Sequence, residues 1–195
     1  MDQNNTGDFR SRKKIVLSSL VIVIFASFLT LLVVGIINRS AITAESGAQR
    51  LGQQAPAFNL KNIESGEIVE LSSLRGKPLV INFWASWCTP CRVEMPHFVD
   101  AFHQYSPEDI TFVGIHTLEP EEDARKFIDA FEIPTKEGFL ILSDDTGTST
   151  IDYGVSGIPA TFFVDSSGFV KKRWIGGISR ENLQINIDAL INEET

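Results

Sequence analysis

The residues with the clearest chemical potential are two cysteines in the segment Trp87-Cys88-Thr89-Pro90-Cys91. They are the only cysteines in the 195-residue chain. Two intervening residues bring the second sulfur within bonding reach of the first. Thiol-disulfide exchange needs such a pair, because one thiolate attacks a partner disulfide and a second thiol resolves the mixed disulfide that forms. The spacing therefore indicates redox chemistry.

Three other uses of a cysteine pair are open to consideration. A structural disulfide would be inefficient, because a two-residue loop constrains the unfolded chain less than a long loop does. A zinc site needs two further ligands, and the sequence has no second C-x-x-C motif, while His97, His103 and His116 lack a ligand spacing. Covalent haem attachment requires histidine directly after the second cysteine, where Arg92 stands. Redox chemistry without a metal or cofactor is the favoured interpretation.

The position of the pair predicts different roles for the two sulfurs. The cysteines follow an apolar run and open a helix, whose N-terminus carries free N–H groups and about half a positive charge that stabilises a thiolate. Cys91 shares the helix face of Met95, Phe98 and Phe102 and should point inward. Cys88 lies at the junction of loop and helix and should be accessible. Cys88 is thus the predicted attacking thiolate, and Cys91 the resolving thiol.

Apolar periodicity beyond residue 50 predicts one α/β domain that holds this pair. Apolar and β-branched runs predict strands over residues 78–84, 110–116, 139–142, 160–164 and 169–174. Helical spacing predicts helices over residues 91–105, 124–131 and 183–191. This order of strands and helices implies a sheet covered by helices on both faces. A domain of about 145 residues suits a single core.

The N-terminal part of the chain predicts a membrane anchor. Residues 15–37 contain no charged side chain, and a helix of that length, about 34 Å, would cross a hydrocarbon core of about 30 Å. A cleaved signal peptide is the alternative, with Ile42–Ala44 as a tolerable cleavage site. Basic residues crowd residues 1–14, which places them in the cytoplasm. Residues 38–50 are the predicted linker, and residues 51–195 the exported domain.

The charge distribution argues against two classes of partner. Residues 1–50 have a net charge of +3 and residues 51–195 a net charge of −11. An acidic domain lacks the basic surface that attracts nucleic acid or anionic lipid headgroups. An acidic cluster near the second helix is interpreted as a solvated face, where negative charge favours the helix dipole; it comprises Glu119, Glu121, Glu122 and Asp123.

A combination of motifs resembles the thioredoxin superfamily. It comprises residues 83–91 (FWASWCTPC), Pro96 and residues 157–161 (GIPAT). Residues 71–77 (LSSLRGK) narrow the resemblance to the membrane-anchored branch typified by ResA, TlpA and the CcmG-type reductases. The resemblance covers roughly residues 51–192 and implies a thioredoxin-like fold with a central mixed sheet. It also implies extracytoplasmic reduction of disulfides, commonly on apocytochrome c, with electrons from a membrane thiol relay.

The same resemblance suggests a substrate-binding surface beside the cysteines. Pro159 corresponds to the cis-proline that faces the active disulfide in this superfamily. A cis bond there would turn the Ile158 backbone toward an extended substrate peptide, which could pair with it by strand addition. Trp87 is expected to shield the disulfide and to contact substrate, whereas Trp84, inside a strand, is expected to be a core residue.

A departure from the family pattern points to a third catalytic residue. Thioredoxin itself has a buried, proton-moving aspartate at the position of Asn82, and an amide cannot titrate. Glu94 lies three residues after Cys91, and ResA-like proteins carry a glutamate at this spacing. Glu94 is therefore expected to exchange protons with the cysteine pair, although a helical glutamate is ordinarily a solvated surface residue.

These observations predict a membrane-tethered, extracytoplasmic protein-disulfide reductase that cycles through the Cys88/Cys91 dithiol and disulfide. A peroxidase of the related peroxiredoxin group would want Thr or Ser where Ala85 stands. A disulfide-forming oxidant would differ in reduction potential, which Thr89-Pro90 does not determine. A copper-binding module would need a third soft ligand, and none lies nearby in the sequence.

Overall fold

The computed structural model describes residues 22–30, 51–105 and 107–192. The chain divides into two compact units, residues 1–47 and residues 48–195. In the first unit, residues 22–30 form an apolar helix, α1, with exposed side chains. The rest of the predicted anchor over residues 15–37, the predicted cytoplasmic segment 1–14 and the linker 38–50 lie outside the described residues. Among the described residues, no helix is long and apolar enough to cross a membrane.

The second unit is built on a seven-stranded mixed sheet over its described residues, with the order β2-β1-β5-β4-β3-β6-β7. Strand β3, the fifth in this order, pairs in parallel with β4 and antiparallel with β6. The six residues of β3 are all buried, as expected for a strand covered on both faces. The strands are β1 (Asn59–Asn62), β2 (Ile68–Glu70), β3 (Leu79–Trp84), β4 (Thr111–Thr117), β5 (Leu140–Asp144), β6 (Ala160–Val164) and β7 (Val170–Ile175).

The helices of this unit begin where local sequence favours them. Cys88 is the N-cap of the first one and Pro90 stands in its first turn, where a missing N–H costs nothing. Ser179 precedes the last helix, and its Oγ accepts the N–H of Asn182 at 3.2 Å. The helices are α2 (Thr89–Gln104), α3 (Glu121–Ala130), α4 (Thr148–Asp152) and α5 (Arg180–Asn192), with 3-10 turns at Leu71–Leu74 and Thr135–Glu137.

The sheet carries a separate apolar cluster on each face. The side chains of α2, α3 and α5 pack on one face with Val80 and Trp84. Alternate residues of the same strand, such as Ile81 and Phe83, join the opposite cluster, which includes Tyr153 at the end of α4 and the chain before β3. Period-two alternation along β3 thus contributes side chains to both cores, and the redox segment follows this doubly covered strand.

The structure confirms the predicted α/β fold with a central mixed sheet. The five predicted strands match β3 to β7 within two residues at each end, and the three predicted helices match α2, α3 and α5 within three. Three short elements, β1, β2 and α4, went unpredicted, because three to five residues are too few to show a periodicity.

Candidate active site

The two cysteines lie just beyond the end of β3, where the chain turns into α2. Cys88 and Cys91 are joined by a disulfide, with their Cα atoms 5.2 Å apart. Because β3 is flanked by β4 and β6, the loops next to those two strands surround this turn. The predicted redox pair is therefore formed in the structure and sits among segments that are distant in sequence.

The burial of Cys88 differs from the expectation of an accessible sulfur. Only 4% of Cys88 is exposed in the disulfide form, and Cys91 is completely buried as expected. The cause is local: Cys88 caps α2, and its Sγ accepts the backbone N–H of Cys91 at 3.3 Å. The capping geometry turns the sulfur over the first helical turn and away from solvent. The small exposed fraction still distinguishes Cys88 from Cys91.

Glu94 is buried, with 1% of its surface exposed. Its Oε1 accepts an N–H of the Asn82 side chain at 2.9 Å, and its Oε2 accepts the backbone N–H of Ile178 at 2.8 Å. Burial raises the pKa of Glu94 from 4.5 to about 7, although the two N–H donors act in the opposite direction by favouring the charged form. Glu94 is therefore a carboxyl group that can change protonation near neutral pH.

Asn82 connects Glu94 to the neighbouring strand. The register of β3 and β6 places Asn82 opposite Thr161, and the Asn82 Nδ2 donates to the Thr161 Oγ1 at 3.1 Å. Both side chains are buried. The Oδ1 of Asn82 has no hydrogen-bond partner within residues 51–105 and 107–192. The NH₂ group of Asn82 therefore binds Glu94, while its amide oxygen accepts no hydrogen bond from the described residues.

The proposed substrate-binding residues lie at the same end of the sheet. The Ile158–Pro159 peptide bond is cis, as the resemblance implied. Because the register pairs Phe83 with Ala160, this bond lies beside the end of β3, close to the redox segment. Trp87, the residue expected to shield the disulfide and to contact substrate, is 66% exposed and so is open to contact with another molecule.

Sequence reasoning missed a second buried carboxylate that holds the redox loop. The acidic cluster predicts a solvated Glu119, but only 6% of its side chain is exposed. It accepts both the backbone N–H and the Oγ–H of Ser86, the latter at 2.6 Å. Arg92 donates to the carbonyl oxygen of Ser86 at 3.3 Å. Ser86 is therefore held on three sides, two residues before Cys88.

His116 contacts the same carboxylate. Its Nε2 is 2.9 Å from Oε1 of Glu119, and its ring is fully buried. Burial lowers the pKa of His116, whereas the charge of Glu119 acts to raise it. The only sequence signal for the pair was the i,i+3 spacing of His116 and Glu119 at a strand end. Among the described residues, no group of three His, Cys, Asp or Glu side chains is arranged to hold a metal ion.

Comparisons with known proteins agree with this geometry. The AhpC/TSA family matches residues 51–173. A Pseudomonas fluorescens biotype C protein named thiol:disulfide interchange protein DsbE is 31% identical over 154 residues, covering 77% of this chain and 83% of that protein. A Halalkalibacterium halodurans protein named thiol-disulfide oxidoreductase ResA is 32% identical over 142 residues, covering 72% of this chain and 77% of that protein.

The solved structures lead to the same group. A crystal structure from Chlorobium tepidum that carries the name thiol:disulfide interchange protein DsbE superposes with a TM-score of 0.65 at 30% identity, covering 72% of this chain and 97% of that one. The disulfide at the head of α2, the cis-proline beside it and these relatives together identify the chain: it belongs to the AhpC/TSA family and is a thiol-disulfide oxidoreductase with a thioredoxin-like fold.

Proposed function

We propose that this protein reduces protein disulfides outside the cytoplasm, tethered to the membrane by residues 15–37. Apocytochrome c is the proposed substrate and a membrane thiol protein the proposed electron donor. Support for this substrate comes from the resemblance of residues 71–77 and 83–91 to the membrane-anchored reductases. The relatives named ResA and DsbE belong to the same type of oxidoreductase.

The observation that carries the direction of the reaction is the buried Glu94, one helical turn after Cys91. An oxidant such as DsbA has a high reduction potential because its reduced form is stabilised. A carboxylate beside the sulfurs repels a thiolate and opposes the helix dipole, so it removes part of that stabilisation. Glu94 therefore favours the disulfide form of this protein and makes its dithiol a reductant.

The proposed cycle conserves atoms and electrons. The Cys88 thiolate attacks one sulfur of the partner disulfide, forming a mixed disulfide and releasing the partner's first thiolate. Cys91 then gives its proton to the Glu94 carboxylate, and its sulfur attacks Cys88. The second partner thiolate leaves, so the partner gains two electrons and this protein becomes the disulfide seen here. Glu94 finally passes its proton to solvent or to the product.

Substrate binding is proposed to use the surface beside the disulfide. Trp87 is exposed and follows Ser86, which Glu119 and Arg92 hold in place. The backbone of Ile158, next to the cis peptide bond, can pair with an extended peptide by strand addition. A peptide lying there would present its disulfide to Cys88, the less buried of the two cysteines.

The reduction potential tests the proposed direction. Equilibration of the purified protein with glutathione should give a value near the ~−270 mV of thioredoxin or lower, and a value near the ~−120 mV of DsbA would instead establish an oxidant. Glu94→Gln should raise the potential, because it removes the charge that opposes the thiolate. Glu67→Gln, at an exposed position in the loop between β1 and β2, is the matched control and should leave it unchanged.

Protease accessibility tests the proposed location. In intact cells, a protease or a membrane-impermeant thiol label applied from outside should reach residues 51–195, while residues 1–14 stay protected. The expectation follows from the uncharged residues 15–37 and their basic N-terminal flank. Recovery of the full-length chain in the soluble cytosolic fraction would contradict it.

A further inference from the structure

Both oxygens of the Glu94 carboxylate face N–H donors. Oε1 faces the Asn82 amide and Oε2 faces the backbone N–H of Ile178. An ionised carboxylate is acceptor-only and fits this arrangement. A protonated carboxyl group carries an O–H that needs an acceptor, and a buried donor without a partner costs about 1–3 kcal/mol. The observed arrangement therefore suits only one of the two protonation states of Glu94.

The Asn82 amide contains the acceptor that the other state needs. Its Nδ2 uses its hydrogens toward Glu94 and Thr161, while its Oδ1 is buried and unpaired within residues 51–105 and 107–192. Rotation about the last side-chain bond by about 180° would exchange the two groups, because an amide oxygen has two lone pairs where the nitrogen has two hydrogens. Oδ1 would then face both Glu94 and Thr161, and the NH₂ group would take the buried place that Oδ1 occupies in the observed arrangement.

The other described neighbours of Glu94 do not offer an acceptor for its O–H, so rotation of the Asn82 amide is the adjustment that remains. The Ile178 backbone cannot present an acceptor in place of its N–H, and its carbonyl oxygen is 3.0 Å from Nδ1 of His97. On α2 the titratable neighbours are His97, three residues after Glu94, and the cysteines, which are joined in the disulfide. From the sheet, the neutral groups Asn82 and Thr161 form the hydrogen bonds of this network, and among the described residues no charged side chain shifts the pKa of Glu94.

We propose that Asn82 and Thr161 are positioning residues whose hydrogen bonds reverse when Glu94 takes up a proton. The Asn82 amide rotates, its Oδ1 accepts the new O–H of Glu94, and the Thr161 hydroxyl changes from acceptor to donor toward the same Oδ1. Two N–H···O bonds, from Asn82 to Glu94 and to Thr161, are replaced by two O–H···O bonds to Oδ1, and no covalent bond changes besides the proton transfer. The role of this rotation in disulfide reduction rests on the function proposed above. The rotation of the Asn82 amide does not depend on that function.

The rotation gives Glu94 a defined partner in each state of the cycle. When Glu94 is ionised, the NH₂ group of Asn82 donates a hydrogen bond to the carboxylate. When Glu94 is protonated, the Oδ1 of Asn82 accepts a hydrogen bond from the Glu94 O–H. The switch needs no movement of the backbone, since Asn82 and Thr161 lie opposite each other in the register of β3 and β6. A fixed apolar side chain at position 82 would leave the buried acid without an acceptor.

Nuclear magnetic resonance of the full-length oxidised protein, labelled on asparagine, tests the rotation directly. Above the titration midpoint of Glu94, the Nδ2 protons of Asn82 should show nuclear Overhauser contacts to Thr161, and below it these contacts should be lost. The Asn82 resonances should shift with the same midpoint as the Glu94 carboxyl carbon. Contacts that persist unchanged through the Glu94 titration would overturn the proposal.

Two variants extend the test. In Glu94→Gln the amide oxygen must accept the Ile178 N–H, so its NH₂ group faces Asn82 and should hold the rotated orientation at every pH. Asn82→Leu should raise the midpoint of Glu94 by roughly one pH unit, because a hydrogen bond to the charged form is about twice as strong as one to the neutral form. An unrotated Asn82 in Glu94→Gln, or an unchanged midpoint in Asn82→Leu, would count against the switch.

A matched control separates the switch from general loosening of the sheet. Thr117→Val also removes a buried strand hydroxyl, one that bonds to Thr150 at 2.7 Å, and should leave the Glu94 midpoint unchanged. An equal shift in Thr117→Val would refute a specific role of Asn82. Because the rotation is measured on the oxidised protein alone, absence of disulfide reductase activity would refute the proposed function and leave the rotation standing.

Discussion

Replacing Glu94 by Gln should stabilise the folded protein, and by an amount that depends on pH. In the folded protein burial raises the pKa of Glu94 to about 7, whereas its ordinary value is 4.5. Between these values the folded state binds more protons than the unfolded state, so the stability of the parent protein falls as pH rises. The stabilising contribution of the neutral acid is fully present below pH 4.5 and is lost above pH 7.

The magnitude follows from the difference of 2.5 between the two values. Since one pKa unit corresponds to about 1.36 kcal/mol, ionising the buried group costs about 3 kcal/mol at high pH. Glu94→Gln has the shape of the neutral acid and cannot ionise. We expect its free energy of unfolding to exceed that of the parent by about 3 kcal/mol more at pH 8 than at pH 4.

Urea unfolding of the oxidised full-length protein, followed by circular dichroism at pH 4, 6 and 8, measures this difference. Most of the change should fall between pH 4.5 and 7. The exposed control Glu67→Gln should show no such trend. A constant difference between Glu94→Gln and the parent at all three pH values would refute the reasoning, as would a parent protein that gains stability relative to Glu94→Gln with rising pH.

Three other predictions concern the remaining parts of the site and its support. Cys91→Ser should accumulate mixed disulfides through Cys88, seen on non-reducing gels, whereas Cys88→Ser should trap few; equal trapping would contradict the assigned roles. Ser86→Ala should lower the free energy of unfolding by about 1–3 kcal/mol at pH 7, because it deprives the buried Glu119 of an O–H donor. Gly114→Ala should destabilise by about 1–3 kcal/mol, since the added methyl group would lie 2.8–2.9 Å from buried side chains.

The sequence alone identified the parts of the site that depend on local patterns. The C-x-x-C spacing and the apolar run before it located the redox turn, and the helix stripe correctly placed Cys91 in the core. Trp84, expected in the core, is fully buried. These features follow from the periods of helices and strands, which neighbouring residues establish among themselves.

Other parts of the site depend on contacts between distant residues. The burial of Cys88 follows from its capping bond, and the burial of Glu119 from the position of Ser86 beside the end of β4. A run of acidic residues is usually solvated, so composition gave no reason to separate Glu119 from Glu121. Only the fold shows that one acidic side chain of that run turns inward.

The hydrogen bonds around Glu94 have a consequence for the order in which the site is completed during synthesis. Asn82 and Thr161 are 79 positions apart, and Glu94 and Ile178 are 84 apart. A chain that has emerged only as far as α3 already contains both cysteines but has neither Thr161 nor Ile178 to enclose the acid. Because long-range contacts form late, the enclosure of Glu94 is completed only when β6, β7 and the segment before α5 have joined the domain.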